Sequence, residues 1–143
     1  MDLVLAGGGG LRLFRQTDDG TFADVTLDAS VTGMDCFGVW AADIDMDGDL
    51  DVVVGLRDLP TVVLRNNGDG TFTFIGRTSG ISQKNNNALG VVCFDFNGDH
   101  RDDFFVANDG ERNHLWINKG DRTFDERAVA YGTAVNLFGD TEA

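Results

Sequence analysis

The chain has 143 residues, and its 24 Asp plus Glu against 11 Lys plus Arg give a net charge of −13. So acidic a surface repels nucleic acid and anionic membrane and favours cations. An apolar fraction of 42% suffices for a buried core, no run of 18 apolar residues offers a membrane-crossing helix, and the opening MDLVLAGGGG lacks the basic start and long apolar stretch of a secretion signal.

In chain order, the first element is a short apolar strand from Asp2 to Leu5, followed by Gly7-Gly8-Gly9-Gly10. The glycine run reads as a turn. No Gly-Lys-Ser/Thr follows it, and the next segment, around Leu13-Phe14, is a strand and not a helix. Asp18-Asp19-Gly20-Thr21-Phe22 then turns the chain into a third strand. The same order returns twice. Asp51-Val52-Val53-Val54 and Asp103-Phe104-Phe105-Val106 match Asp2-Leu3-Val4-Leu5, and Gly68-Asp69-Gly70-Thr71-Phe72 and Gly120-Asp121-Arg122-Thr123-Phe124 match the first turn. Between the last two copies the offset is 52 residues; between the first two turns it is 50.

Each complete unit reads as four short strands: 37–42 or 89–94, then 51–55 or 103–107, then 61–65 or 113–117, then a fourth at 71–75 and its later equivalent. No window holds a 3.6-residue apolar period over a helix's length. Four antiparallel strands repeated about every 50 residues predict an all-β chain of β-propeller blades, a single domain over 1–143 with units at about 1–36, 37–88 and 89–143. The first blade is incomplete, lacking its first strand and most of the loop after it. Bare strand edges invite pairing. The expectation is a homo-oligomer that completes a propeller, two copies carrying about six units, or one segment of a longer chain.

The loop between first and second strands is the chemically loaded one. It reads Asp43-Ile44-Asp45-Met46-Asp47-Gly48-Asp49-Leu50-Asp51 in the middle unit and Asp95-Phe96-Asn97-Gly98-Asp99-His100-Arg101-Asp102-Asp103 in the last. Oxygen side chains recur at loop positions 1, 3, 5 and 9, and hard cations such as Ca2+ take six to eight oxygens from such closely spaced donors. Two calcium sites are predicted. One uses Asp43, Asp45, Asp47 and Asp51; the other uses Asp95, Asn97, Asp99 and Asp103. Asp49 and Arg101 at position 7 would contribute backbone carbonyls. Position 6 calls for positive φ, easy for Gly48 and strained for His100. Four carboxylates against three plus an amide predict that the middle site fills first. An EF-hand is excluded, since position 12 is Val54 or Val106 and both flanks are strand-like.

The DxDxDGDxD loop before a DVVV-type strand, followed by NxGDGTF, resembles the FG-GAP/VCBS repeats of integrin-α-like β-propellers over nearly the whole chain. The NHLWINKGDRTF stretch up to Phe124 is similar to bacterial propellers related to cartilage acidic protein. The resemblance implies calcium in each such loop and a secreted or cell-surface setting. This chain departs from the pattern at His100, where Gly is usual, at Asn97, where Asp is usual, and in the first unit, where Asp2 alone remains and is assigned no metal.

The function expected is a non-catalytic scaffold for protein interaction or adhesion, with an unidentified protein or glycan as partner. Two alternatives stand beside it. One is a carbohydrate-binding lectin-type propeller, with Trp116 as a stacking residue in place of an ordinary core position. The other is a fragment of a calcium-dependent polysaccharide-acting enzyme, which would need Lys, Arg, His or Tyr converging on one face. Trp40 and Trp116 align with core positions, Asn85-Asn86-Asn87 reads as a solvated crossover, and His100 and His114 as loop and strand positions. Cys36 and Cys93 do not occupy equivalent places in the repeat, which leaves their pairing open.

Overall fold

The computed structural model describes residues 2–25, 27, 32–76, 78–81 and 86–141. Among these described residues, eleven strands form three antiparallel sheets in chain order. The first contains β1 (Asp2–Gly7), β2 (Gly10–Gln16) and β3 (Phe22–Val25). The second contains β4 (Cys36–Ala42), β5 (Asp51–Leu56), β6 (Val62–Asn66) and β7 (Phe72–Phe74). The third contains β8 (Ala88–Phe94), β9 (Asp103–Asn108), β10 (His114–Asn118) and β11 (Phe124–Glu126). Each sheet runs up and down in sequence order, so the expected four-stranded blades and the three-stranded first one are present. No helix occurs among the described residues.

Alternation along β5 explains the stacking of the sheets. Side chains of successive strand residues point to opposite faces. Val52, Val54 and Leu56 pack with Leu11, Leu13 and Leu27 of the first unit. Val53 points the other way, into a core shared with Val63, Ile75, Ile81, Phe104, Val106, Trp116 and Phe124. All six residues of β5 are buried, as expected of a strand covered on both faces. A smaller cluster, Leu115, Ala128 and Ala134 with Phe105 and Ile117 against it, lies on the far side of the third sheet under the segment that follows β11.

The inner strands approach closely. A Cβ on Gly38 would sit 2.9 Å from both the Cα of Gly90 and the amide nitrogen of Val91. Gly at this point lets β4 of the second sheet and β8 of the third come together.

Two expectations are corrected here. Trp40 is not a core residue: it is 43% exposed on β4. Asn86 is not solvated but 2% exposed, with its amide nitrogen 3.4 Å from both Thr61 Oγ1 and His114 Nδ1. Asn85 lies outside the described residues. Trp116 does occupy the core, stacked with Phe104 at 6.2 Å between ring centroids, which removes it as a ligand platform. Cys36 is buried, Cys93 is partly buried, and both are free thiols.

Candidate metal centre

The acidic loops owe their shape to two left-handed residues each. Gly48 at position 6 has φ 95°, and His100 at the same position has φ 66°. Position 4 is also left-handed, at Met46 with φ 61° and at Gly98 with φ 78°. Each loop thus pairs one Gly with one non-Gly residue, in opposite order. Position 4 had no signal in the middle loop, because Met46 gives no hint of positive φ.

Within this bend the first carboxylate gathers amide donors. Asp43 accepts from the backbone N–H of Asp47 at 3.1 Å and of Gly48 at 3.0 Å. Asp95 accepts from Gly98, Asp99 and His100 at 2.8–3.0 Å, and these bonds hold its carboxyl below the usual range. Asp51 and Asp103 at position 9 tie the loop to the third strand. Asp51 accepts from Ile44 N–H at 2.9 Å and Asn66 N–H at 2.8 Å. Asp103 does the same with Phe96 at 3.0 Å and Asn118 at 2.8 Å. Both are buried, at 1% and 0% exposure. Position 9 is therefore a structural brace, a role that its place in a ligand pattern concealed.

The middle loop goes further. Asp43, Asp45 and Asp51 each present a carboxylate oxygen, all within 4.8 Å of one another. Among the described residues no other trio of acidic, His or Cys side chains gathers in this way. The Asp45 side chain is 3% exposed, and neither of its oxygens accepts a hydrogen bond. Buried charge without partners is costly. Burial is the main cause that raises the pKa of Asp45, Asp47 beside it adds to the rise, and Arg122 and Arg65 act in the opposite sense. Burial likewise pushes Asp51 up to about 6, despite its two amide donors, with Asp45 and Asp47 adding to the rise. Asp47 keeps its carboxylate at the rim, where it accepts from Asp49 N–H at 3.0 Å.

The last loop is arranged differently. Asn97 Nδ2 donates to Asp99 at 2.9 Å, and Arg101 Nη2 donates to the same carboxylate oxygen at 2.5 Å. The Arg101 Nε donates to the Asn118 carbonyl at 3.1 Å. Here the position 7 side chain folds back onto a predicted ligand. Burial raises the pKa of Asp103 as it does that of Asp51. The residues at this loop are near one another in sequence, but Asp95, Asp99 and Asp103 do not form the tight trio seen in the middle loop.

At the opposite ends of these strands a cleft of about 260 Å³ is lined by Phe37, Arg57, Asp58, Asn87, Leu89 and Asp109 among others. Its aromatic face is taken: the Arg57 guanidinium lies over the Phe37 ring at 4.5 Å.

With this geometry in hand, comparison with known proteins is informative. The model of the FG-GAP-like repeat matches residues 1–54, 55–106 and 95–141. The chain belongs to the FG-GAP-like repeat family. Three propeller-type sheets accord with three such repeats, the first two matched stretches each running on into the following sheet, and the acidic loops are the turns that open the second strand of the middle and last sheets. No curated protein matches the chain. The FG-GAP-like repeat accounts for the scaffold, and the carboxylate trio lies in the acidic loop between β4 and β5.

Proposed function

We propose that this FG-GAP-like chain is a non-catalytic, calcium-braced propeller scaffold for protein interaction or adhesion, working in a secreted or cell-surface setting. The observation that carries the reading is Asp45. Two buried carboxylate oxygens without hydrogen bonds, beside oxygens from Asp43 and Asp51, are what a cation would satisfy. Oxygens that share one Ca2+ ion at about 2.4 Å can stand no more than about 4.8 Å apart, and the three oxygens of the trio all lie within that limit of one another. Asp47, the Asp49 carbonyl and water would complete the set of hard donors.

The last loop is proposed as a second and weaker site through Asp95, Asn97, Asp99 and Asp103. Asp99 there already carries the Arg101 guanidinium, so a cation must compete for it. Binding sets the loops and leaves the outer surfaces to recognise a partner. It also braces the apolar end faces for association with further blades, supplied by a second copy or by the remainder of a longer chain. Leu3 and Leu5 on β1 are 43% and 49% exposed at one end.

The test is calorimetric titration of chelator-treated protein with CaCl2, with thermal unfolding on the same samples. Wild type should bind and gain stability. At about 1 mM calcium and a Kd of about 0.1 mM the gain is about 1.4 kcal/mol per site. Asp45→Asn should abolish the middle site while leaving the metal-free protein at least as stable as wild type, because a buried charge has been neutralised. Calcium-indifferent wild-type protein would sink the proposal.

A further inference from the structure

We propose that Arg122, supplied by the third repeat, is a built-in counter-cation for the middle repeat's carboxylate trio and sets how tightly that trio holds a divalent metal. The inference rests on the calcium reading of the trio and adds to it a residue that lies 71 positions beyond the loop's last ligand.

The placement is specific. Arg122 stands in the β10–β11 turn, in the slot held by Gly20 and Gly70 in the other two turns. That slot is left-handed in all three, with φ 83° at Gly20, 92° at Gly70 and 66° at Arg122. A side chain is therefore present where the sibling turns carry none, at a backbone geometry that disfavours one. From there its Nε reaches to 3.2 Å from Asp45 Oδ2. The approach lacks hydrogen-bond alignment, so it is charge pairing across the blade boundary and not a bonded fork. The two ends differ in solvation: the Arg122 side chain is 58% exposed, that of Asp45 only 3%. Arg122 is free to swing out, whereas Asp45 is fixed.

These facts decide the direction of the effect. A guanidinium and a divalent ion both seek the Asp45 oxygens and repel each other. A doubly charged ion about 5 Å from a single positive charge in a water-like dielectric is disfavoured by an amount equivalent to about tenfold in binding. With the metal absent, Arg122 is the cation that partly compensates the buried carboxylate. When the metal arrives, Arg122 either bears that repulsion or gives up its contact with Asp45 and turns to solvent, and both count against binding. Since the same third repeat donates from Asn118 Nδ2 to the Ile44 carbonyl at 2.7 Å, inside the middle loop, the docking of one blade tunes the metal affinity of its neighbour.

The test titrates chelator-treated protein with CaCl2 by calorimetry, comparing wild type with Arg122→Gly, Arg122→Asn and Arg122→Lys. Gly and Asn both tolerate the left-handed slot and remove the charge, so each should bind calcium about tenfold more tightly at the middle site. Arg122→Lys keeps a cation and should stay near wild type. Asp45→Asn identifies which heat belongs to the middle site. Equal or weaker calcium binding by both neutral variants overturns the role of Arg122 while the calcium reading stands. No binding by any protein, wild type included, overturns both.

Discussion

Asn118 on β10 donates its side-chain N–H to the carbonyl of Ile44 at 2.7 Å, joining the third sheet to the acidic loop of the middle repeat across 74 residues of chain. The same amide nitrogen also reaches the Asp102 carbonyl at 3.1 Å, and its oxygen accepts from Gly120 N–H at 2.9 Å. Asn118 is 1% exposed and so spends its whole side chain on polar backbone. Asn66 is its equivalent in the middle sheet. It bonds the Leu50 carbonyl at 3.3 Å and Gly68 N–H at 3.1 Å within its own blade.

From this difference, Asn118→Ala should destabilise by about 2–4 kcal/mol, because it strands buried carbonyls and an amide as well as removing bonds. Asn66→Ala, more exposed and without the link to another blade, should cost about 1 kcal/mol. Urea unfolding of the two variants measures the gap. Equal costs would mean that the inter-blade bond adds nothing.

Met46 and His100 are non-Gly residues in left-handed geometry, each opposite a Gly in the sister loop. A left-handed L-residue costs about 1–2 kcal/mol, and Gly returns about 0.5–1 of that as lost unfolded-state restraint. Met46→Gly and His100→Gly should each stabilise by about 0.5–1 kcal/mol. Gly48→Ala meets no atom within 4 Å and should destabilise by about 1 kcal/mol on backbone grounds alone. Thermal unfolding in chelator reads all three free of metal effects, and a loss of stability in both Gly variants would refute the strain argument.

Much of this was legible beforehand, and the reasons differ by level. Short apolar runs such as Asp51-Val52-Val53-Val54, recurring with the turn Gly68-Asp69-Gly70-Thr71, placed strands within a residue or two. Repetition made each unit evidence for the others. The ligand spacing also picked out the loop that holds the carboxylate trio. What sequence could not show lay between blades. Arg122 reads as a tolerated substitution in a turn, and only the stacking of the third sheet on the second brings it to Asp45. The bracing role of Asp51 and Asp103 stayed hidden, because the amide bonds they accept leave no mark on the ligand spacing that singled them out. Trp40 looked buried because its aligned partner Val92 is apolar, although the innermost strand keeps one face open.

The three turns that end the third strands carry a pH signature. Asp19, Asp69 and Asp121 each accept from the N–H of the Thr two residues on, at 3.0, 2.9 and 3.1 Å, and from its hydroxyl. These bonds hold Asp69 and Asp121 down, and at Asp19 the Thr17 hydroxyl, donating at 2.6 Å, joins them as the largest cause and brings the carboxyl to about 2. A depressed folded-state value means that the stabilisation is present above the unfolded value near 3.8 and disappears as pH falls toward 2. Stability in chelator should therefore drop between about pH 4 and pH 2. Combining Asp19→Asn, Asp69→Asn and Asp121→Asn should flatten that drop. An unchanged acid limb in the triple variant would show that other carboxylates govern it.

Gly38 and Gly90 occupy the same place in their blades but different surroundings. A Cβ on Gly38 would meet backbone of the third sheet at 2.9 Å, while one on Gly90 would meet nothing within 4 Å. Backbone cannot give way as a flexible side chain can, so Gly38→Ala should destabilise by about 1–3 kcal/mol, and Gly90→Ala by well under 1 kcal/mol. Gly90 also reports on association. If another blade docks on the third sheet as the third docks on the middle one, backbone will crowd Gly90 as it now crowds Gly38. Gly90→Val should then leave the three-sheet chain folded by circular dichroism but shift sedimentation velocity in calcium toward the monomer. A wild-type chain that associates, together with a Gly90→Val chain that associates equally well, would show that the contact is made elsewhere.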